Sequence, residues 1–119
     1  MAYVDGFVTP VPKKNLAAYK RLSKKCCQVW MEYGALSYDE CLGDELAIPG
    51  VGSFVTALGL KKGETVAFAF IRYKTKKHRD QVNAKAMKDP RVQMPPGRLP
   101  FDCTRLLYGG FRGMVSSGT

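Results

Sequence analysis

Histidine is almost absent from this chain, since His78 is the only one, and the 4 cysteines include no CxxC pair. Zinc sites need histidine and cysteine clustered at short, regular spacings, so a zinc site is disfavoured. The sequence therefore predicts no metal and no cofactor. In a reducing compartment we expect free, partly buried thiols, namely Cys26, Cys27, Cys41 and Cys103.

Long apolar runs are also missing, because no stretch approaches the roughly 20 apolar residues that a membrane helix needs. The first residues, MAYVDGFV, carry Asp5 and have no basic region ahead of an apolar run, unlike a signal peptide. We therefore expect a soluble, cytoplasmic protein with no membrane partner. The GxSxG, HExxH and Walker patterns are absent as well, so the sequence leaves open whether the protein is an enzyme.

Acidic residues are scarce, with 10 Asp and Glu against 19 Lys and Arg, and the formal net charge is +9. A basic balance can indicate nucleic-acid binding. Here, however, Lys and Arg concentrate on the outer faces of the expected helices, where charges are usually just solvated. Several of the acids cluster in SYDECLGDE at 37–45. We expect Asp39, Asp44 and Glu45 to be a solvated strand end.

What the chain does contain is a regular alternation of strand and helix patterns over the length of one domain, 1–119. Two amphipathic helices are expected, one ending at Gly34 and one running from Thr75 to Pro90. The order βαββαβ predicts an α+β fold, a ferredoxin-like sandwich whose antiparallel sheet carries both helices on one face. The expected strands are 3–11, 35–42, 65–73 and 105–115.

The third strand, TVAFAFIRY at 65–73, is apolar on both sides. Small alanines suit close contact with helices, so we assign the larger side chains to the open face of the sheet. Leaving such side chains in water costs about 1.5 to 3 kcal/mol each, so this face needs a cover. Stacked bases or a second subunit can supply it, and the sequence predicts a homodimer interface at Val66, Phe68 and Phe70.

Several short motifs occur together along the chain: YVDGF at 3–7, EYGAL at 32–36, EC at 40–41, RD..N at 79–83, DPR at 89–91, PFD at 100–102 and RLLYGGF at 105–111. In these motifs the chain resembles the YbaA-like family of bacterial proteins of unknown function. The resemblance implies the dimeric α/β-barrel superfamily, in which two ferredoxin-like subunits lay their open sheet faces together. It implies no particular reaction, because one fold hosts many functions.

Glu40 stands in the middle of an apolar row on the second strand. A carboxylate there either finds a partner or has its pKa raised by desolvation, and the second case suits general acid/base work. The alternative is a structural ion pair with Arg79 or Arg105. Arg79 and Asn83, one helical turn apart, can bind an anion or pin the second helix to the sheet.

These residues predict a pocket between the sheet and the elements that cover it, binding or converting a small polar or anionic molecule. Sequence alone names no ligand. The residues expected along the pocket, with His78 at its mouth, are Tyr38, Glu40, Arg79 and Tyr108.

An alternative function is RNA binding, because VAFAFIRY resembles the third strand of an RNA-recognition motif. In that reading Phe68 and Phe70 stack on bases. Two features oppose it: Val66 and Ala67 replace the basic residue and the glycine of the motif, and the positive charge lies away from the open face. We therefore expect no nucleic-acid partner and keep RNA binding as the alternative.

Overall fold

The structure is a computed structural model that describes residues 2–95 and 97–118. Strands and helices alternate along these residues, which confirms the predicted α+β class. The segment around Phe54, whose pattern fits a helix or a strand, forms a short helix. In chain order the elements are β1 (Tyr3–Pro12), α1 (Leu16–Glu32), β2 (Ser37–Leu42), α2 (Phe54–Leu58), β3 (Glu64–Tyr73), α3 (Lys76–Ala86) and β4 (Leu107–Arg112).

The strands form one four-stranded sheet in the order β2-β3-β1-β4, and every neighbouring pair is antiparallel. The predicted antiparallel sheet is therefore confirmed. β1 and β3 occupy its centre, while β2 and β4 are its edges. β4 begins later than the sequence pattern suggests, because a 3-10 turn at Cys103–Arg105 precedes it and Asp102 accepts the backbone N–H of Thr104.

One side of the sheet, here called the helix face, packs against both long helices. Alternation along the paired strands places on it Tyr3, Asp5, Phe7, Tyr38, Glu40, Ala69, Ile71, Tyr73 and Tyr108. Asn83 of α3 joins the layers, since its Oδ1 accepts hydrogen bonds from Trp30 of α1 at 2.9 Å and from the Tyr73 hydroxyl at 3.1 Å. A cluster of buried apolar residues on this side consists of Tyr3, Ala35, Ile71, Tyr73 and Val82.

The opposite side, here called the open face, is mainly apolar near its centre and exposes several large side chains. Its larger apolar residues include Val4, Val8, Phe68, Phe70, Leu107 and Phe111, and Asp39 and Arg72 lie on the same side. Phe68 is 47% exposed and Phe111 is 61% exposed, which is high for large apolar side chains. Val66 belongs to the same side but is only 2% exposed, so the chain itself already covers it. Phe68 and Phe70 thus remain accessible among the residues predicted to form an interface.

Turns and caps follow local sequence chemistry. Gly34, at φ 111°, adopts the left-handed conformation just after α1 that glycine tolerates best. The Thr75 hydroxyl accepts the N–H of His78 at 3.1 Å and caps α3. Gly110 is needed for space, because a Cβ there would lie 2.3 Å from the Tyr3 hydroxyl. Within the described residues, no helix combines the length and apolar character required to cross a bilayer.

Candidate functional site

Glu40 lies on the edge strand β2 beneath α1 and accepts three hydroxyl hydrogen bonds. Its Oε2 accepts from Tyr19 at 2.5 Å, and its Oε1 accepts from Ser23 at 2.7 Å and from Tyr38 at 3.2 Å. Tyr19 and Ser23 are one turn apart on α1, so both reach the same point of the sheet. Tyr38 is two positions before Glu40 and therefore shares its side of the strand. Two elements thus build one hydroxyl cage around a carboxylate.

No cation pairs with Glu40 among the described residues. Hydrogen bonds to an ionised oxygen are stronger than neutral ones, so the three hydroxyls stabilise its charge. The partners expected from the sequence are engaged elsewhere: Arg79 binds Asp5 at 2.8 Å, and Arg105 binds Glu64 at 2.6 Å. The predicted ion pair of Glu40 is therefore replaced by a set of neutral donors.

The electrostatics of the cage keep its neighbours protonated. Burial, together with the charge of Glu40, raises the pKa of Tyr19 and of Tyr38 far above the usual range of a phenol. Burial and then the charge of Glu40 also raise the pKa of the Cys26 thiol, to about 11. The Tyr19 and Tyr38 hydroxyls therefore stay protonated well beyond neutral pH, and both donate to Glu40.

Two cavities share a wall made by Tyr19, Ser23, Tyr38 and Glu40. The larger one, here called the Glu40 cleft, has a volume of about 470 Å³ and lies between α1 and β2. That volume is in the range of small-molecule sites. The smaller cavity, of about 210 Å³, extends under α1 and is mostly apolar. The remaining residues that line the Glu40 cleft are Leu16, Ala17, Lys20, Lys24, Cys27, Cys41 and Leu42.

The residues predicted to share one pocket lie in two places. Tyr38 and Glu40 line both cavities, whereas Arg79, Tyr108 and His78 line neither of them. His78 is half-buried, and its Nδ1 accepts the backbone N–H of Lys74 at 3.0 Å. It therefore supports the start of α3 and does not stand at the mouth of either cavity.

Arg79 belongs to a separate cluster at the other side of the helix face. Its Nη1 donates to Asp5 at 2.8 Å and to the Tyr108 hydroxyl at 2.7 Å, while its Nε donates to Asp80 at 2.8 Å. The guanidinium also lies 4.9 Å from the centre of the Tyr3 ring. Arg79 thereby ties α3 to β1 and β4.

Asp5 is fully buried, at 0% exposure, and its Oδ2 has no hydrogen-bond partner among the described residues. Burial raises the pKa of this carboxyl, and the nearby charge of Arg79 opposes the rise. The predicted site does not include Asp5, although Asp5 stands between Tyr3 and Phe7 in an apolar row, which is the signal that singled out Glu40. Tyr19 and Ser23 are likewise absent from the predicted site, although two hydroxyls one turn apart on a helix could have indicated the cage.

The four cysteines do not form a group of metal ligands at the site. Cys26 and Cys27 are partly buried, and Cys41 and Cys103 are exposed, all as free thiols. In the ranges 2–95 and 97–118, no group of three or more His, Cys, Asp or Glu side chains is placed to hold a metal ion.

The sheet, the two long helices and the cleft define a small α+β protein with a hydrogen-bonded carboxylate at a cavity wall. Residues 2–103 match the family described as "Protein of unknown function (DUF1428)", and the chain belongs to this family. It is 37% identical over 115 residues to "Uncharacterized protein YbaA" of Escherichia coli (strain K12), covering 97% of this chain and 98% of that protein. Proteins of the same name from Escherichia coli O157:H7 and Shigella flexneri match equally well. The predicted YbaA-like resemblance is confirmed.

Arg79→Ala should destabilise the protein, because it leaves Asp5 buried without its cation. We expect a loss of about 3 to 5 kcal/mol in the free energy of unfolding at neutral pH. The loss should shrink in acid: burial raises the pKa of folded Asp5 and Arg79 lowers it, so in the variant that pKa is higher and Asp5 is neutralised by a proton at a pH where it is still charged in the wild type. Urea unfolding at several pH values measures both effects. Arg21→Ala, at an exposed position of α1, is the control, and a loss independent of pH would contradict this role.

Thiol labelling tests the charge of Glu40. The exposed Cys41 and Cys103 should react with iodoacetamide well before Cys26, whose pKa is raised to about 11. Glu40→Gln removes a charge that opposes the thiolate, so the pKa of Cys26 should fall and its labelling should accelerate. Timed labelling over a pH series, read by site-resolved mass spectrometry, measures this. Glu45→Gln, an exposed acid, is the control; an unchanged Cys26 rate in Glu40→Gln argues against the effect.

Proposed function

We propose that this protein binds a small polar or anionic molecule in the Glu40 cleft. The observation that supports this most is Glu40 itself, a carboxylate without a cation on the wall between two cavities. A purely structural carboxylate is usually neutralised by a cation or directed into solvent. Glu40 instead borders two cavities and accepts hydrogen bonds from hydroxyls alone, which is an arrangement suited to receiving a ligand.

The cage leaves Glu40 room for one more donor. A carboxylate has about four lone-pair positions, and the hydroxyls of Tyr19, Ser23 and Tyr38 occupy three of them. A donor group of the ligand can take the fourth. If the bound molecule is converted, the reaction class that fits is proton abstraction by Glu40, because a carboxylate in hydrogen-bond reach can act as a base.

The second part of the proposal is that the chain is a ferredoxin-like subunit of a homodimer joined through the open face. The order β2-β3-β1-β4, antiparallel throughout, and the two helices on one side support the ferredoxin-like assignment. The exposed Phe68, Leu107 and Phe111 support the dimer, since an apolar patch is its own complement about a two-fold axis. Such a dimer leaves the Glu40 cleft accessible, because the cleft lies on the opposite side of the sheet.

A bulky side chain in the cleft tests the ligand site. Ala17→Trp fills the Glu40 cleft from an exposed position of α1. Ala84→Trp, at an exposed position of α3 that lines neither cavity, is the matched control. We expect saturation-transfer NMR against a panel of small acids, alcohols and amines to detect binders to the wild type and to Ala84→Trp. Loss of that binding in Ala17→Trp supports the site, and binding that survives in Ala17→Trp contradicts it.

The dimer is tested by light scattering at micromolar concentration. The wild type should have twice the mass of one chain, and Phe68→Asp should have the mass of one chain, because a charge opposes burial of the open face. Met87→Asp, exposed at the end of α3, should remain dimeric. A monomeric wild type contradicts the dimer. In that case, tight binding of single-stranded RNA that Phe68→Ala abolishes would favour the RNA-binding alternative.

A further inference from the structure

The rim of the Glu40 cleft carries two lysines without acidic partners. Lys20 and Lys24 lie one turn apart on α1, line the cleft and are exposed to solvent. Neither forms an ion pair with any residue in 2–95 or 97–118. Like charges at this spacing repel each other on a helix, so the pair costs stability and gains none locally. The rim therefore concentrates positive charge that an anion can neutralise.

Beside the lysines and Glu40, the lining of the cleft includes apolar residues from both elements. Leu16 and Ala17 contribute from α1, and Leu42 contributes from β2. Leu42 is 54% exposed despite its position on the side of the strand that faces α1. An apolar body lying in the cleft removes this surface from water, which is favourable at about 25 cal/mol per Å². One cleft thus combines three different chemistries in its lining: cationic, apolar and anionic.

We infer that the Glu40 cleft takes an amphipathic organic carboxylate that also carries a hydroxyl group. The carboxylate lies at Lys20 and Lys24, the apolar body lies against Leu16 and Leu42, and the hydroxyl donates to Glu40. This inference rests on the proposed function and specifies its ligand.

The charges set the direction in which such a ligand enters. Glu40 repels a carboxylate, and its caging hydroxyls already donate to it, so the anionic end belongs at the lysines. The inner end must be a donor, because Glu40 accepts and the neighbouring Tyr19 and Tyr38 keep their protons. An amine would also be repelled by Lys20 and Lys24, which line the same cleft, and the formal net charge of +9 opposes a cationic ligand further.

Four probes of nearly equal shape separate these contributions. Para-hydroxyphenylacetate has both the carboxylate and the hydroxyl, phenylacetate lacks the hydroxyl, tyrosol lacks the carboxylate, and tyramine replaces the carboxylate with an amine. We expect para-hydroxyphenylacetate to bind best in saturation-transfer and chemical-shift titrations of the intact protein. Its affinity should fall as salt rises, since exposed charges are screened.

Variants of the rim identify the site of the carboxylate. Lys20→Gln and Lys24→Gln should each weaken the binding of para-hydroxyphenylacetate by about two- to five-fold, as expected for a partly exposed charge pair. Both variants should bind tyrosol with the affinity of the wild type, because tyrosol has no charge. Lys25→Gln, an exposed position of α1 that does not line the cleft, is the matched control and should bind like the wild type.

The outcomes distinguish the ligand class from the site. If tyrosol or tyramine binds as tightly as para-hydroxyphenylacetate and Ala17→Trp still blocks it, the ligand class is wrong and the cleft remains a binding site. If para-hydroxyphenylacetate does not bind at millimolar concentration, or if the lysine variants bind it as the wild type does, the inference is overturned. If the probes bind and Ala17→Trp does not weaken their binding, both the proposed function and this inference fail.

Discussion

The buried ion pair between Asp5 and Arg79 is the constraint on which the arrangement of the layers depends. Asp5 stands on the central strand β1 at 0% exposure, where an unpaired charge would be costly. Its cation comes from α3, so the pair holds that helix at one position over the sheet. Asn83, one turn further along α3, then bonds both Trp30 of α1 and Tyr73 of β3. One polar chain therefore joins the sheet to the two long helices that cover it.

The two carboxylates on the helix face, Asp5 and Glu40, have different partners. This difference distinguishes a structural residue from a candidate ligand contact. Asp5 has a guanidinium at 2.8 Å and lines neither of the two cavities. Glu40 has hydroxyl donors only and stands beside two cavities. The reason lies in the sheet order: Asp5 is on a central strand, whereas Glu40 is on the edge strand β2, where α1 leaves a gap. Local position thus makes one acid a structural anchor and the other a candidate ligand contact.

Several family motifs also have a structural explanation. The DPR motif places Asp89 and Arg91 so that they bond each other, and Arg91 also binds Glu32 at the end of α1 at 2.9 Å. Tyr33 completes the group by donating to Asp89 at 3.0 Å. These contacts attach the segment after α3 to α1. They leave the Glu40 cleft free, so most of the charged motif residues stabilise the scaffold around a small site.

The sequence by itself determined the α+β class, the approximate limits of the main strands and helices, the accessible aromatic rings of β3 and the unusual place of Glu40. Periodicity suffices for these, because it shows which side of an element a residue occupies. Only the tertiary structure decided which groups meet. Asp5 and Arg79 are 74 positions apart, and Tyr19 reaches Glu40 across 21 positions. Periodicity contains no information on which residue of another element lies opposite, since that depends on the strand order and on how each helix lies over the sheet.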